Sequence, residues 1–449
     1  MRDGRAEVVI VGGGLAGIAA ACELVDRGCA VSLVEKRPFL GGRTYSVTDQ
    51  RTGAEVDNGQ HVFMRCCTEY SRLLRRLGVY ERTRLQERMR VLVGNSDGTM
   101  AALESSRLPA PFHLLPSFLR FPYLSALDKA LALYGLACIK LTTPQQRHAL
   151  DDITFYQWLV AHRQTERAIR NFWNLVALPT LNDDVHLVSA DLALMVFQEG
   201  LLGGRGSADI GYATVGLSRL LAQAASDYIQ AYGGRLLLAR SAAGILCDGG
   251  AVAGVALADD EVLTGDFYVS AVPHHALPAL LPEELRHSPF FARIDGIGSS
   301  PIVNVHLWYD RPVADFDFAA FLDSDVQWVF NKAAILGQTT QRVTLSPKAT
   351  RLGESAAKGL RNETLRSAQH DGGREALGYL DISLSGARQY IDMSTTDIAR
   401  RLIDAVGAVL PPARQAPLVR YLVIKQRDAT FAAAPGCGRL RPACRTPLP

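Results

Sequence analysis

The fold of this chain is decided by residues 7–43, which read EVVIVGGGLAGIAAACELVDRGCAVSLVEKRPFLGGR. The β-branched run from Glu7 to Val11 is typical of a buried parallel strand. A glycine turn follows, and then an alanine-rich helical pattern from Leu15 to Arg27, with Gly28 as its C-terminal cap. A second apolar run starts at Ala30 and delivers Glu35 at its end. This order predicts a β-α-β unit of an α/β fold.

The glycine turn has the spacing G-x-G-x-x-G, at Gly12, Gly14 and Gly17. The first glycine allows a tight turn, the second lets the backbone approach a pyrophosphate, and the third lets helix and strand pack closely. The helix N-terminus directs free N–H groups toward phosphates. Glu35 lies 18 residues after Gly17, where a carboxylate can accept hydrogen bonds from ribose hydroxyls. Because these parts follow in register, the sequence predicts a dinucleotide site.

The residues after Glu35 indicate which dinucleotide binds. Gly41 and Gly42 permit a close backbone approach, and the guanidinium of Arg43 can pair with phosphate oxygens. With the preceding unit, this segment resembles the glutathione-reductase-type FAD-binding proteins, in particular the flavin amine oxidase and carotenoid desaturase superfamily. The resemblance implies that the cofactor is FAD.

Composition excludes several classes of protein. Of the 449 residues, 48% are hydrophobic and 21% charged, which excludes disorder as the main state. The balance of 48 basic and 45 acidic residues gives no reason to expect nucleic acid as a partner. The eight cysteines form no C-x-x-C pair, so no metal site is expected. The N-terminus does not fit a signal peptide, which predicts a cytoplasmic protein. Peripheral contact at the inner membrane face is also expected, because of the aromatic, proline-broken stretch from Phe112 to Tyr123 described below.

The rest of the chain suggests two domains. A β-ribbon pattern and a strand starting at Phe267 follow in the later part of the chain. In the FAD-binding superfamily that this chain resembles, such a block returns to the nucleotide-binding sheet, which implies a discontinuous FAD-binding Rossmann domain of residues 1–75 and 205–290. Residues 76–204 and 291–425 would form a substrate-binding domain of mixed sheet and helices. The strand from Pro301 to Tyr309 would place Asn304 and His306 on one face. A polar stretch at 339–375 is predicted to be an exposed insertion, and 426–449 to begin the return to the FAD domain.

Two segments invite more specific interpretation. The arginine-rich stretch from Tyr70 to Arg90 is predicted to be a solvated helical face rather than a phosphate-binding patch. The stretch from Phe112 to Tyr123 crowds aromatic and leucine side chains between prolines. It fits a helical core with proline turns, and it also fits an entrance that faces lipid or a long apolar ligand. Both interpretations stay open.

Four further segments are similar to the squalene-associated FAD-dependent desaturases, also called hydroxysqualene dehydroxylases. They are Val56–Val62 (VDNGQHV), Gln327–Phe330, Arg427–Pro435 and Arg445–Pro449. The resemblance implies reduction of hydroxysqualene to squalene, with a long apolar isoprenoid as substrate. It also implies cofactor contacts, with the ADP half at Gly12, Gly14, Gly17 and Glu35, the pyrophosphate near Gly41, Gly42 and Arg43, the adenine at the backbone of Ala242, and the isoalloxazine ring beside Asn58, Gly59, Gln60 and His61.

His61 and Gln60 are the candidate catalytic residues, because either could hydrogen-bond a departing hydroxyl if it faces the ring. A structural role for His61 is the alternative. A carotenoid-type desaturase and a flavin amine oxidase share the nucleotide motifs and remain alternatives. A third alternative is that the chain is an inactive member of the superfamily. Other members continue past the Thr-Pro-Leu-Pro segment into a Gly-Asp motif and a helix that closes over the flavin. This difference leads us to expect a truncated cofactor site.

Overall fold

The computed structural model describes residues 4–49, 54–337 and 377–446. The insertion predicted at 339–375 lies outside the described residues, as do residues 447–449.

Regular structure alternates between strands and short helices along the chain. The strands are β1 (Glu7–Val11), β2 (Ala30–Glu35), β3 (Ser46–Thr48), β4 (Glu55–Asp57), β5 (Val62–Met64), β6 (Thr83–Leu85), β7 (Arg90–Asn95), β8 (Met100–Glu104), β9 (Ile210–Ala213), β10 (Arg235–Leu238), β11 (Ala242–Asp248), β12 (Ala251–Leu257), β13 (Val262–Leu263), β14 (Phe267–Ser270), β15 (Ser299–Tyr309), β16 (Phe318–Leu322), β17 (Trp328–Asn331), β18 (Gly378–Leu384) and β19 (Leu418–Phe431). The α-helices are α1 (Leu15–Asp26), α2 (Thr68–Arg76), α3 (Leu115–Arg120), α4 (Ala126–Leu141), α5 (Pro144–His148), α6 (Phe155–Ala161), α7 (Glu166–Ala168), α8 (Asn174–Leu181), α9 (Ala190–Val196), α10 (Leu217–Ala231), α11 (Glu283–Arg286), α12 (Lys332–Ile335), α13 (Arg388–Ile391), α14 (Thr395–Val409), α15 (Pro411–Gln415) and α16 (Cys437–Leu440).

The N-terminal unit builds a parallel sheet in the order β10-β2-β1-β14. Side chains of β1 alternate between two cores. Val8 and Ile10 pack with helices α1 and α10, whereas Val9 and Val11 pack against the small sheet of β11, β12 and β13. The apolar run is therefore buried on both faces, as expected for a parallel strand. Since β10 and β14 come from distant parts of the chain, the discontinuous Rossmann fold is confirmed.

A seven-stranded mixed sheet forms the second unit, in the order β19-β15-β18-β17-β16-β7-β8. One of its faces packs on helices α13 to α15. The other faces a layer of helices between residues 115 and 201. Strand β15 alternates as predicted, because Val303, Val305 and Leu307 enter the core with α14, which leaves Asn304 and His306 on the other face.

Two details differ from the sequence prediction. Helix α2 ends at Arg76, before Gly78 with its φ of +69°, and Thr83–Leu85 then pairs with β9 as a strand. The helical prediction for Tyr70–Arg90 is therefore wrong beyond Arg76. Gly78 ends the helix, and Thr83–Leu85 pairs with the distant strand β9. The predicted boundary at residue 425 falls inside β19, whose pairing with β15 continues to Phe431. In the described part of the chain, no helix is both long and apolar enough to span a membrane.

Candidate cofactor and substrate site

Close packing between β1 and α1 depends on the glycine turn. A Cβ atom on Gly17 would lie 1.8 Å from the carbonyl oxygen of Gly12, so only glycine lets the helix begin this close to the strand. Gly12 itself has a φ of +106°, which disfavours any other residue. The geometry matches the packing role predicted for these two glycines.

Space remains in front of the helix, at Gly14. This residue precedes α1, and the nearest atom to a Cβ built on it is the Cα of Gly42, at 3.9 Å. The twin glycines lie directly against the turn, because the amide of Gly41 donates to the carbonyl oxygen of Gly13 at 2.8 Å. Gly42 has a φ of +59°, and a Cβ there would come within 2.8 Å of the Cα of Gly14. Free N–H groups and open space meet at this helix N-terminus, which suits a pyrophosphate.

Glu35 ends β2 beside the glycine turn. Its buried carboxylate accepts hydrogen bonds from the amides of Gly13 at 2.7 Å and Arg37 at 2.9 Å. Each carboxylate oxygen keeps further lone pairs, so the group is oriented and can still accept bonds from ribose hydroxyls. The amide of Arg240 donates to the carbonyl oxygen of Glu35 at 3.1 Å, which brings the start of β11, and hence Ala242, toward this position. A backbone contact of Ala242 with adenine stays a prediction.

Arg43 connects the cofactor unit to the substrate sheet. Its guanidinium donates to the carbonyl oxygen of Ala429 at 2.7 Å, near the end of β19. Burial lowers the pKa of the guanidinium, and the charge of Asp428 opposes that shift. The side chain also lines the cavity described below. The expected pairing of Arg43 with a phosphate stays a prediction.

The segment from Asn58 to His61, called the site loop below, turns sharply beside β15. The Asn58 amide nitrogen donates to the Arg43 carbonyl at 3.1 Å, and its amide oxygen accepts from Gln426 at 3.1 Å. Gly59 has a φ of +109°, and a Cβ there would lie 2.3 Å from the side chain of Asn304. Asn58 and Gly59 thus shape the loop.

Asn304 supplies an unsatisfied acceptor at this loop. Its Nδ2 donates to the carbonyl oxygen of Asn58 at 3.3 Å. Its Oδ1 is buried and has no hydrogen-bond partner among the residues that the structure describes. Buried polar atoms are rarely left without a partner in folded proteins. A cavity-lining acceptor of this kind fits a bound group that carries N–H donors, as a flavin ring does.

The two candidate catalytic residues differ in how their side chains are engaged. Gln60 accepts from Lys332 Nζ at 2.8 Å and donates to the His61 carbonyl at 3.0 Å, so its amide holds the loop. The Nδ1 of His61 lies 3.1 Å from the Gly59 carbonyl oxygen, which can only accept. Burial lowers the pKa of His61, with the Gly59 bond opposing, so a neutral ring offers Nε2 as an acceptor. The geometry favours His61 over Gln60 for chemistry, and both assignments stay predictions.

Lys332 was not predicted from the sequence, although it is central to this loop. It starts α12 and is 1% exposed, and its Nζ lies 2.7 Å from Asp57 Oδ2. Burial by itself would raise the pKa of Asp57, but Lys332 and hydrogen bonds from Leu217 and Ser46 hold it below the usual value. Asp57 and Lys332 are 275 positions apart, so no local pattern signals the pair.

A cavity of about 430 Å³ lies between the substrate sheet and the helical layer, with the site loop at its edge. Its wall is mostly apolar: Val62, Met64, Met89, Val91, Leu103, Leu175, Val176, Pro179, Leu201, Ala208, Ile210, Ile302, Phe318, Trp328, Phe330 and Ala429. Its polar residues gather at Arg43, the site loop, Asn304 and Gln426, with Thr180, Ser383, Ser385 and Thr430 also in the lining. No carboxylate is among the described lining residues. The described ranges also hold no group of three or more His, Cys, Asp or Glu side chains able to bind a metal.

These positions fit FAD. The glycine turn, Glu35 and the helix N-terminus would hold its ADP half, and the Asn304 acceptor with the site loop would meet its ring. The structure thus brings all the predicted cofactor residues to one continuous region, with Ala242 at its margin.

Known proteins similar to this chain include several carotenoid desaturases. A probable zeta-carotene desaturase of Synechococcus elongatus is 28% identical over 98% of this chain and 91% of its own length. The zeta-carotene desaturase of Zea mays is 28% identical over 100% of this chain and 78% of its length. The 15-cis-phytoene desaturase of Narcissus pseudonarcissus is 25% identical over 98% and 73%.

Solved structures share the fold. An oxidoreductase from Methanosarcina mazei superposes with a TM-score of 0.68 at 14% identity, covering 98% of this chain and 92% of that one. Putrescine oxidase bound to putrescine gives 0.64 at 18% identity, covering 94% and 84%. The sequence profile of the family described as flavin containing amine oxidoreductase matches residues 15–449. The chain belongs to this family of FAD-dependent oxidoreductases.

Proposed function

We propose that this protein is an FAD-dependent desaturase of a long apolar polyene, of the carotenoid type. The observation that carries the proposal is the cavity, whose wall is mostly apolar and holds no carboxylate among its described residues. An apolar wall binds a hydrocarbon chain by removing its surface from water. The similarity to zeta-carotene and phytoene desaturases over nearly the whole chain supports the same substrate class.

The residues of the chain have distinct tasks in such a reaction. FAD, when bound, supplies a two-electron acceptor. Desaturation removes a hydride and a proton from neighbouring carbons, so a proton acceptor is also needed. His61 lines the cavity in a form that is expected to be neutral, with Nε2 free to accept. The walls hold the polyene in line and exclude water.

An amine substrate is less well supported. A protonated amine needs a carboxylate or an aromatic cage, and the described lining holds the cation Arg43 and no carboxylate.

Reduction of hydroxysqualene is the second candidate. The polar end of the cavity favours it, because Nε2 of His61 can accept a hydrogen bond from a substrate hydroxyl. Departure of that hydroxyl as water also requires a proton. Gln60 is engaged by Lys332 and the loop backbone, so its amide is not free to assist. For this reason the desaturase proposal stands first.

One experiment separates these candidates. The purified chain is first loaded with FAD, and its flavin content is read from the visible spectrum. It is then incubated with phytoene or zeta-carotene and a quinone acceptor, with primary amines in air, and, after reduction by dithionite, with hydroxysqualene. A product that absorbs at longer wavelength supports the desaturase. Squalene or hydrogen peroxide as the only product would overturn it, and failure to bind FAD would favour the inactive chain.

We extend the proposal to peripheral contact with an anionic membrane. Helix α4 carries an exposed apolar stripe at Leu127, Ala130, Tyr134, Ala137 and Leu141, the α4 stripe. Its large side chains are 63%, 50% and 80% exposed at Leu127, Tyr134 and Leu141. Contiguous exposed apolar surface of this kind marks an interaction site.

The charges around the α4 stripe favour lipid as its partner. Residues 105–150 contain five basic side chains, and the one acidic side chain, Asp128, is buried. Lys129 Nζ donates to the Leu119 carbonyl at 2.7 Å, which joins α4 to the exposed Leu119 of α3. A basic, apolar surface is attracted to anionic headgroups and inserts its apolar side chains.

Vesicle binding tests this contact. Leu127→Ser, Tyr134→Ser and Leu141→Ser together should abolish cosedimentation with phosphatidylglycerol vesicles. Leu246→Ser, Val262→Ser and Phe267→Ser, at exposed apolar positions of the FAD-binding unit, serve as the matched control. Unchanged binding of the α4 variant would refute the proposal. Sedimentation velocity showing that the α4 stripe holds two copies of the chain together would also refute the proposal.

A further inference from the structure

Beneath the site loop lies a group of buried polar side chains that the desaturase chemistry does not use. The buried polar cluster consists of Asp57, His306, Lys332, Tyr379 and Asp381, with the half-buried Gln60 at its edge. Its members come from both units, since Asp57 and Gln60 belong to the cofactor side and the others to the substrate sheet and α12. The cluster therefore lies where the flavin side of the molecule meets the cavity wall.

Two strands supply the lower part of the cluster. His306 and Asp381 face each other in the register of β15 and β18, and Tyr379 Oη lies 3.0 Å from His306 Nδ1. Neither carboxylate oxygen of Asp381 has a hydrogen-bond partner within the described ranges. Burial raises the pKa of Asp381, against the charges of His306 and Lys332, and burial lowers that of His306, against Asp381. Both directions favour uncharged groups.

The charged part of the cluster is therefore the pair of Lys332 and Asp57. Lys332 Nζ lies 2.7 Å from Asp57 Oδ2 and 2.8 Å from Gln60 Oε1. Asp57 is fixed in turn by the Leu217 amide at 2.9 Å and the Ser46 hydroxyl at 2.8 Å. One ammonium thus bonds both ends of the short segment that contains Asn58 and Gly59.

Lys332 is itself rigidly mounted. It follows β17, an inner strand of the substrate sheet, and Asn331 caps the helix that Lys332 begins, with its side chain accepting from the Ala334 amide at 3.3 Å. The other end of the Asn331 side chain donates to the Ala314 carbonyl at 2.9 Å. Lys332 therefore ties the sheet to the loop at Asp57 and Gln60, beside the hydrogen bonds that Asn304 and Gln426 make to Asn58.

We propose that Lys332 is a positioning residue that couples the substrate sheet to the site loop, and so sets how the flavin ring faces the cavity. A buried ion pair contributes little net stability compared with apolar residues of similar volume, because both charges lose their hydration. Its value here is directional: it holds Gly59 against Asn304 and keeps His61 at the cavity. The inference depends on bound FAD and not on the identity of the substrate.

Three variants test the coupling. Gln60→Leu breaks the bond from Lys332 to the loop and leaves the ion pair intact. Lys332→Met removes the ammonium and leaves Asp57 buried without its partner. Asp57→Asn combined with Lys332→Met removes both charges and restores charge balance. Lys425→Met is the control, because Lys425 Nζ donates to the carbonyls of Ile391 and Met393 away from the loop.

The measurements are the visible circular dichroism of bound flavin, its midpoint potential and thermal stability. We expect Gln60→Leu and the double variant to fold, and both to change the flavin dichroism and shift the potential, whereas Lys425→Met changes neither. In the variant that combines Asp57→Asn with Lys332→Met, thermal stability should return toward the wild-type value, whereas the flavin dichroism and midpoint potential should stay altered. Wild-type dichroism and potential in Gln60→Leu would overturn the proposal. Their full recovery in the double variant would also overturn it, because Lys332 would then act through charge balance alone.

Discussion

Replacing Gly14 by alanine should stabilise the empty protein and weaken its binding of FAD. Gly14 has φ and ψ of −76° and −176°, an extended conformation that alanine adopts without strain. The nearest atom to the new Cβ would be the Cα of Gly42 at 3.9 Å, an ordinary contact. A methyl group in this gap would nevertheless occupy the space where the helix N-terminus meets a pyrophosphate.

The two effects can be sized separately. A glycine-to-alanine change at a compatible position stabilises a protein by about 0.4–1 kcal/mol, because the unfolded chain loses freedom. Overpacking by a methyl group costs about 1–3 kcal/mol. If this cost applies only to the complex with FAD, it raises the FAD dissociation constant roughly 5- to 150-fold. The apoprotein and the complex should therefore respond with opposite signs.

The assay pairs urea unfolding of the apoprotein with a titration of FAD followed by flavin fluorescence. Gly17→Ala is the matched control, because its Cβ would lie 1.8 Å from the Gly12 carbonyl oxygen and should destabilise the apoprotein as well. A Gly14→Ala protein that binds FAD as tightly as wild type would show that the pyrophosphate lies elsewhere. A destabilised Gly14→Ala apoprotein would contradict the open space in front of the helix.

Three further predictions concern the site loop and the cluster beneath it. Gly59→Ala should lower the melting temperature for two reasons: the new Cβ would lie 2.3 Å from the Asn304 side chain, and the φ of residue 59 is positive. Adding Asn304→Ala removes only the first reason, so it should recover only part of the loss. Full recovery would show that the backbone conformation contributes nothing. Asp381→Asn should gain stability relative to wild type as the pH rises above the unfolded pKa of an aspartate, about 3.9. Because burial raises the pKa of Asp381, the free energy of unfolding of the wild-type protein falls as the pH rises from the pKa of the unfolded state, about 3.9, to the higher pKa of the folded state. If urea unfolding gave the same difference in stability between variant and wild type at every pH, this prediction would be contradicted. His61→Gln should keep its flavin, measured by absorbance, and lower turnover of the polyene on the order of 10²- to 10⁴-fold, whereas wild-type turnover would exclude His61 as the proton acceptor.

The nucleotide-binding unit could be predicted from the sequence because its signals are local. Strand β1, helix α1 and Glu35 follow within one short segment, and the glycines act on neighbours in the same turn. The alternation in β15 was equally accessible, since a strand places successive residues on opposite faces. Local pattern failed after Arg76, where Thr83–Leu85 pairs with the distant strand β9 instead of continuing a helix.

The sequence by itself therefore determined the Rossmann unit and its glycines, whereas the site-loop residues 58–61 were indicated by the family resemblance. Only the tertiary structure decided what surrounds that loop. It showed that Gln60 is bound by Lys332, that His61 lines the cavity with Nδ1 against the Gly59 carbonyl, and that Asn304 carries an oxygen without a hydrogen-bond partner in the described part of the chain. The physical reason is distance along the chain: Lys332 and Gln60 are 272 positions apart, and only sheet register and burial bring such groups within hydrogen-bond distance.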